Sequence, residues 1–183
     1  MADPQKAFRV EIDQRKLFKQ LQKLDKALDK DALLSAIGNK MQQYSNRQFE
    51  TEGSYSGNPW PALSRNTIAA RILLGQEGRI LQRTGRFKQS ITVRKSGSSV
   101  EIGTNLPWAS AHQDGTEPFT IVPKNPKGML VFAVMGPNGP MMAHAKKVNH
   151  PGLPKREFLP NAKVTEVLST ELMEHLIQEA ADG

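Results

Sequence analysis

The chain has 183 residues, a formal net charge of +7 and no cysteine. A single domain over 1–183 is the expectation for this length, and disulfides, thiolate metal sites and a cysteine nucleophile are excluded. No stretch approaches the roughly 18 apolar residues of a membrane span, and the opening MADPQKAFRVEID lacks the apolar run of a signal peptide. The expectation is a protein made in the cytoplasm, with no membrane partner.

Phe8, Val10 and Ile12 alternate with Ala7, Arg9 and Glu11, the period of a short half-buried strand. Leu17, Leu21, Leu24 and Leu28 then recur at helical spacing, and a second stripe follows at Leu34, Ile37, Met41 and Tyr44, with Asp31 as a candidate N-cap between them. Neither stripe lasts the three or four heptads that a coiled-coil seam needs, so both are expected to face the core. The strand and helical region of 1–50 ends where TEGSYSGNPWP, rich in Gly, Ser and Pro, begins a loop.

Over 51–160 an α+β core is expected. Ser64, with Thr67 three residues on, predicts an N-cap whose hydroxyl accepts a free backbone N–H. Gly75 and Gly78 bracket a loop. Ile80, Thr84, Phe87 and Ile91 share one face of a predicted helical segment, with Arg79, Arg83 and Arg86 on another. Gly85 costs such a helix roughly 1 kcal/mol relative to Ala, and close approach of a neighbouring backbone is the expected reason for it.

The period then switches to two. Ile91 and Val93, then Val100 and Ile102, predict strands joined by a GSS turn. TNLPWASAHQDG predicts a turn into one short helix ending at Gly115. Phe119, Ile121 and Val122, then MLVFAV and MMAHAKKV, predict further strands, the last two joined by MGPNGP. Pro160 marks the start of a final helix over 161–183, with Val164, Leu168, Leu172 and Leu176 as its apolar stripe. The fold class is α+β, an antiparallel sheet flanked by N-terminal helices and a C-terminal helix.

Chemistry-bearing residues are sparse. His112 and Asp114 stand two apart on a turn, and His144, Asn149 and His150 lie on a predicted strand and loop, but neither spacing is a zinc pattern. Ser64, Ser90 and Ser110 lack the glycine-flanked elbow of a nucleophile, and the glycines match neither a dinucleotide fingerprint nor a phosphate loop. The expectation is a protein without catalytic residues, metal or cofactor. Arg79, Arg83 and Arg86 form a candidate stripe for weak contact with DNA phosphates, which would be salt-dependent; the ordinary account is a solvated face or ion pairs with Glu171 or Glu174. Basic side chains outnumber acidic ones over 51–160, whereas 161–183 sets Lys163 against Glu166, Glu171, Glu174, Glu179 and Asp182. That asymmetry fits a self-associating subunit whose basic body meets a neighbour's acidic tail.

Four ordered elements resemble those of the phage virion morphogenesis family, also called the tail-completion family, of tailed bacteriophages. Trp60, Leu63, Ser64 and Thr67 are similar to its Trp-x-x-Leu-Ser-x-x-Thr element. Ile80, Leu81, Thr84, Gly85, Ser90 and Ile91 resemble its Ile-Leu-x-x-Thr-Gly element, with Phe87 where Leu is frequent. Ile102, Gly103, Thr104, Ala109, His112, Gln113 and Gly115 resemble its Gly-Thr, aromatic-Ala and His-Gln-x-Gly element, with Trp108 where Tyr is frequent. Pro154, Arg156, Phe158 and Leu159 resemble its closing Pro-x-Arg-x-Phe-Leu element, with Lys155 and Glu157 in place of small residues or Pro. The likeness covers about 45–160.

The resemblance implies a noncatalytic neck or tail-completion subunit acting at the head–tail junction of the virion as a ring of copies. Its partners would be itself, neighbouring neck, connector or tail proteins, and genomic DNA through nonspecific contact. A tail terminator ring that caps tube growth is the alternative within the class, and a DNA-binding accessory protein the alternative outside it. A closed ring needs heterologous contacts, for which the candidate surface residues are Trp60, Trp108 and Phe158 as aromatic anchors and Glu171 and Glu174 as charged partners.

Overall fold

The structure, a computed structural model, describes residues 9–11, 30–76 and 78–182. The predicted stripe of Leu17 to Leu28, together with Phe8 and Ile12, lies outside the described residues. Leu34, Ile37, Met41 and Tyr44 do form one buried face of a helix, α1 (Lys30–Glu50), and Leu33 and Phe49 extend it. Asp31 lies within the first turn of α1, where its carbonyl accepts from Ser35 Oγ at 2.7 Å.

α1 packs on a three-stranded antiparallel sheet of β1 (Arg9–Glu11), β2 (Thr92–Ser96) and β3 (Ser99–Gly103), with β3 in the centre. Alternation along β3 turns Val100 and Ile102 inward, and both are fully buried. Gly38 lets helix and sheet approach closely, since a Cβ there would press on the side chains of Val93 and Val100. The β2–β3 hairpin is the one expected from its GSS turn, with Ser96 paired to Ser99.

Ser64 caps α2 (Arg65–Leu73) as expected, accepting from Thr67 N at 3.1 Å. The predicted helix over 79–91 is reduced to a single turn, α3 (Arg86–Gln89). Leu81 at φ +60 and Gly85 at φ +73 are left-handed, so no helix passes through them. Gly85 is there for that conformation; no backbone closes on it, and the nearest atom to a Cβ would be Gln89 Nε2 at 3.6 Å. The short helix ahead of Gly115 is α4 (Ala109–Gln113).

The later strands do not join the first sheet. β4 (Phe119–Ile121) pairs with β7 (Val148–His150), and β5 (Leu130–Gly136) pairs with β6 (Gly139–Ala145), each as a two-stranded antiparallel ribbon. The MGPNGP hairpin is thus present, while β7 is a strand of its own. Pro118, Pro123, Pro126, Pro151 and Pro154 flank these strands, and without an N–H a proline cannot carry a ladder onward. α2 packs across the β5–β6 ribbon, forming a lobe beside the α1 body.

α5 (Ala162–Asp182) follows Pro160 and packs on α1, with Asn161 Oδ1 accepting from Val164 N at 3.0 Å. Its most buried line is Thr165, Ser169 and Met173, and the expected stripe of Val164, Leu168, Leu172 and Leu176 flanks that line half-buried. Thr165 and Ser169 thus take the most buried places beside Met173, while Leu172 and Leu176 pack against the core from the flank.

Candidate functional site

The four sequence elements converge. Trp60 is 6% exposed; its indole Nε1 donates to Glu157 O at 2.9 Å and its ring stands edge-on to Phe49. Phe49 also meets Phe87 and Phe158, and Phe87 meets Phe158 and Trp108 at centroid distances of 4.7 and 4.6 Å. Rings from five separate segments so form one aromatic cluster, in the edge-on and tilted geometries that aromatic quadrupoles favour.

Polar groups fasten the chain around that cluster. Arg156 is buried, and its Nε and Nη2 donate to Pro61 O at 3.1 and 2.8 Å, Nη2 also reaching Ala62 O. Burial lowers the Arg156 pKa from its ordinary value, yet a guanidinium keeps its proton in proteins, so its charge is met by carbonyl dipoles. Gln113 Oε1 accepts from both Phe158 N and Leu159 N. Ser90 Oγ lies 2.7 Å from Thr104 Oγ1, which accepts from Leu106 N. Glu52, outside the four elements, joins them by accepting from Ile80 N on Oε1 and Trp60 N on its carbonyl. Gln82 Nε2 donates to Phe49 O at 2.6 Å. Sequence reading placed Gln113 and Arg156 in motifs but assigned them no role, and it passed over Glu52 and Gln82. The sequence carries no local signal for them, since Glu52, Gln82, Gln113 and Arg156 each have polar, charged or glycine neighbours and find their partners across the fold.

The anchors expected at an interface divide accordingly. Trp60 and Phe158 are core residues, their rings enclosed by the cluster, and so are corrected as surface candidates. Trp108 is 44% exposed, one edge against Phe87 and His112 and the rest open. Glu171 and Glu174 are exposed on α5. Arg79, Arg83 and Arg86 form no helical stripe, because the helix that would align them is absent. Arg79 Nη1 donates to Glu50 O at the end of α1, where carbonyls lack intrahelical partners, and Arg83 Nη1 donates to Gln76 Oε1 at 3.1 Å. Arg83 and Arg86, without Arg79, meet again in a different setting.

That setting is an open groove of about 1350 Å³ between α2, the 81–87 turn, Trp108 and the two ribbons. Leu74, Leu81, Ile121 and Leu130 supply apolar wall, and Arg71, Arg83 and Arg86 supply charge. Around it the surface is unusually apolar. Ile68, Ile72, Leu73 and Leu74 are exposed on and just after α2, and Phe119, Ile121, Val122, Met129, Val131, Met141 and Met142 on and beside the ribbons. Among the described residues, the other large exposed apolar side chains are Tyr55, Trp108 and Val167. The large exposed apolar side chains are thus concentrated on one lobe, beside Arg71, Arg83 and Arg86.

His112 and His150 make ring contacts within the fold. His150 stacks on Phe119, and its Nδ1 accepts from Gly152 N; Asn149 Oδ1 accepts from Thr120 Oγ1 across the ribbon. His144 is exposed on β6, in a different sheet from Asn149 and His150. His112 lies against Phe87 and Trp108, its Nδ1 buried without a hydrogen-bond partner, and burial followed by the nearby Arg156 charge lowers its pKa. Among the described residues no group of three or more His, Asp or Glu is placed to hold a metal ion, and no helix is long and apolar enough to cross a membrane.

No curated protein and no solved structure matches the chain. The family model of the phage virion morphogenesis family matches residues 12–179, which takes in all four elements and most of α5, and the chain belongs to that family.

Proposed function

We propose that the chain is a noncatalytic structural subunit of the phage particle that completes the tail and joins it to the head. It works at the head–tail junction as a ring of copies, among neck, connector or tail proteins. Membership of a virion morphogenesis family supplies the setting. The observation that carries the finer reading is the apolar exposure concentrated on α2 and the two ribbons. Side chains such as Leu74, Val131 and Met141 gain roughly 25 cal/mol for each Å² of apolar surface taken from water, and the chain's own fold leaves that gain unmade. A ring subunit makes it against its neighbours. The family elements hold the aromatic cluster together and also reach the groove, where Leu63, Leu81, Thr84 and Trp108 stand in its lining.

Electron microscopy of a lysate from the parent phage or prophage carrying an early stop codon in the gene tests the reading. Filled heads beside unattached tails of normal length are the expected result. Overlong tails would instead assign the chain to a tail terminator that caps tube growth, and intact infectious particles would overturn both.

A further inference from the structure

We propose that the groove between α2, the 81–87 turn and the ribbons receives the outer face of α5 from a neighbouring copy of the same chain. The proposal rests on the ring reading and names the two surfaces that would build it.

Charge selects the occupant. Arg71, Arg83 and Arg86 line the groove, and Lys124, Lys127, Lys146 and Lys147 belong to the same lobe. Two such lobes packed face to face would set cation against cation, which disfavours a self-complementary pair. The opposite charge lies on α5. Its exposed residues include Glu166, Val167, Glu171 and Glu174, and Val167, Glu171 and Glu174, spaced four and three apart, share one stripe.

The apolar parts match as well. Val167 is the one large apolar side chain of α5 exposed among the described residues, with Glu166 next to it in sequence, Glu171 one turn on and Lys163 one turn back. The groove has the complementary order, with Leu74, Leu81, Ile121 and Leu130 as walls and guanidiniums among them. An Arg fork takes a carboxylate in a planar two-bond geometry and takes a phosphate equally well, so the apolar walls decide between the two. Leucine and isoleucine walls gain nothing from a nucleic-acid backbone, which favours a protein occupant over DNA.

The geometry of the contact follows. Groove and α5 are different surfaces of one subunit, so each copy offers both and the contact is heterologous, the kind that generates rings when its rotation closes.

Sedimentation velocity of the purified full chain tests this with charge reversals at exposed positions. Arg83→Glu with Arg86→Glu, and separately Glu171→Lys with Glu174→Lys, should each weaken self-association by about tenfold or more. The chain carrying all four changes should recover most of the loss, and circular dichroism should show every variant folded. Recovery in the fourfold variant is the decisive result, since damage at two unrelated surfaces would add. Wild-type-like assembly of both double variants would overturn the proposal and leave the ring reading standing. A wild-type chain that stays monomeric at every concentration would overturn both. Loss of duplex-DNA retention near physiological salt in the arginine variant, with self-association unchanged, would make the groove a nucleic-acid site and overturn the proposal.

Discussion

Gln113 holds Phe158 across 45 residues of sequence: one side-chain oxygen accepts the backbone N–H of Phe158 at 3.0 Å and that of Leu159 at 3.1 Å. The end of α4 is thereby fixed to the segment that leads into α5, beneath the aromatic cluster. Gln113→Leu would leave two buried donors without partners, at about 1–3 kcal/mol each. The expected loss is roughly 2–6 kcal/mol, read as a lowered urea midpoint. An unchanged midpoint would mean that water or a shifted carbonyl replaces the amide.

Trp60 and Leu74 should separate folding from assembly. Trp60→Ala removes a packed ring and the bond to Glu157 O, and large-to-small changes of this kind cost about 3–5 kcal/mol. Leu74 is 60% exposed, so Leu74→Asp should shift stability by no more than about 0.5 kcal/mol while reducing incorporation into particles. Thermal melts and phage complementation, run side by side, read the two effects.

Much of this arrangement was legible in the chain, and the exceptions share a cause. The Ser64 cap, the β2–β3 hairpin, the MGPNGP hairpin and the stop at Gly115 are local, set by side chains within a few residues of the backbone they satisfy. The predicted helix over 79–91 failed because periodicity registers side-chain spacing and not backbone conformation. Leu81 at φ +60 interrupts it with a residue that gives no sequence warning. The split into three sheets depends on which strands find each other across long loops. Whether Trp60 and Phe158 lie inside or outside is decided by partners as distant as Glu157 for Trp60 and Phe49 for Phe158. The groove was illegible for the same reason: Arg83 and Arg86 meet Ile121 and Leu130 only once the ribbons fold beside α2.

The first turn of α5 offers a substitution that should stabilise. Thr165 Oγ1 is buried without a hydrogen-bond partner, and Val matches Thr in shape without the hydroxyl. Thr165→Val should raise stability by about 1 kcal/mol, seen as a higher melting temperature. A fall would show that the hydroxyl has a partner, such as a bound water.

His112 gives the fold a pH dependence. Burial, and then the Arg156 charge, lowers its folded pKa below the ordinary 6.5, so the unfolded chain takes up the proton first. The stability tied to neutral His112 is complete above that unfolded value and is lost as pH falls through and below it, towards the folded value. Melting temperature should decline below about pH 6.5, and His112→Gln should flatten that decline. Equal slopes in the two chains would remove His112 as its source.

The most direct test of the structural role is quantitative mass spectrometry of purified, DNA-filled particles, paired with immunogold labelling. The account predicts a small fixed number of copies per particle, with label confined to the head–tail junction. A chain required for infectious particles but absent from them would contradict it, and would make the protein a transient assembly factor or a catalyst.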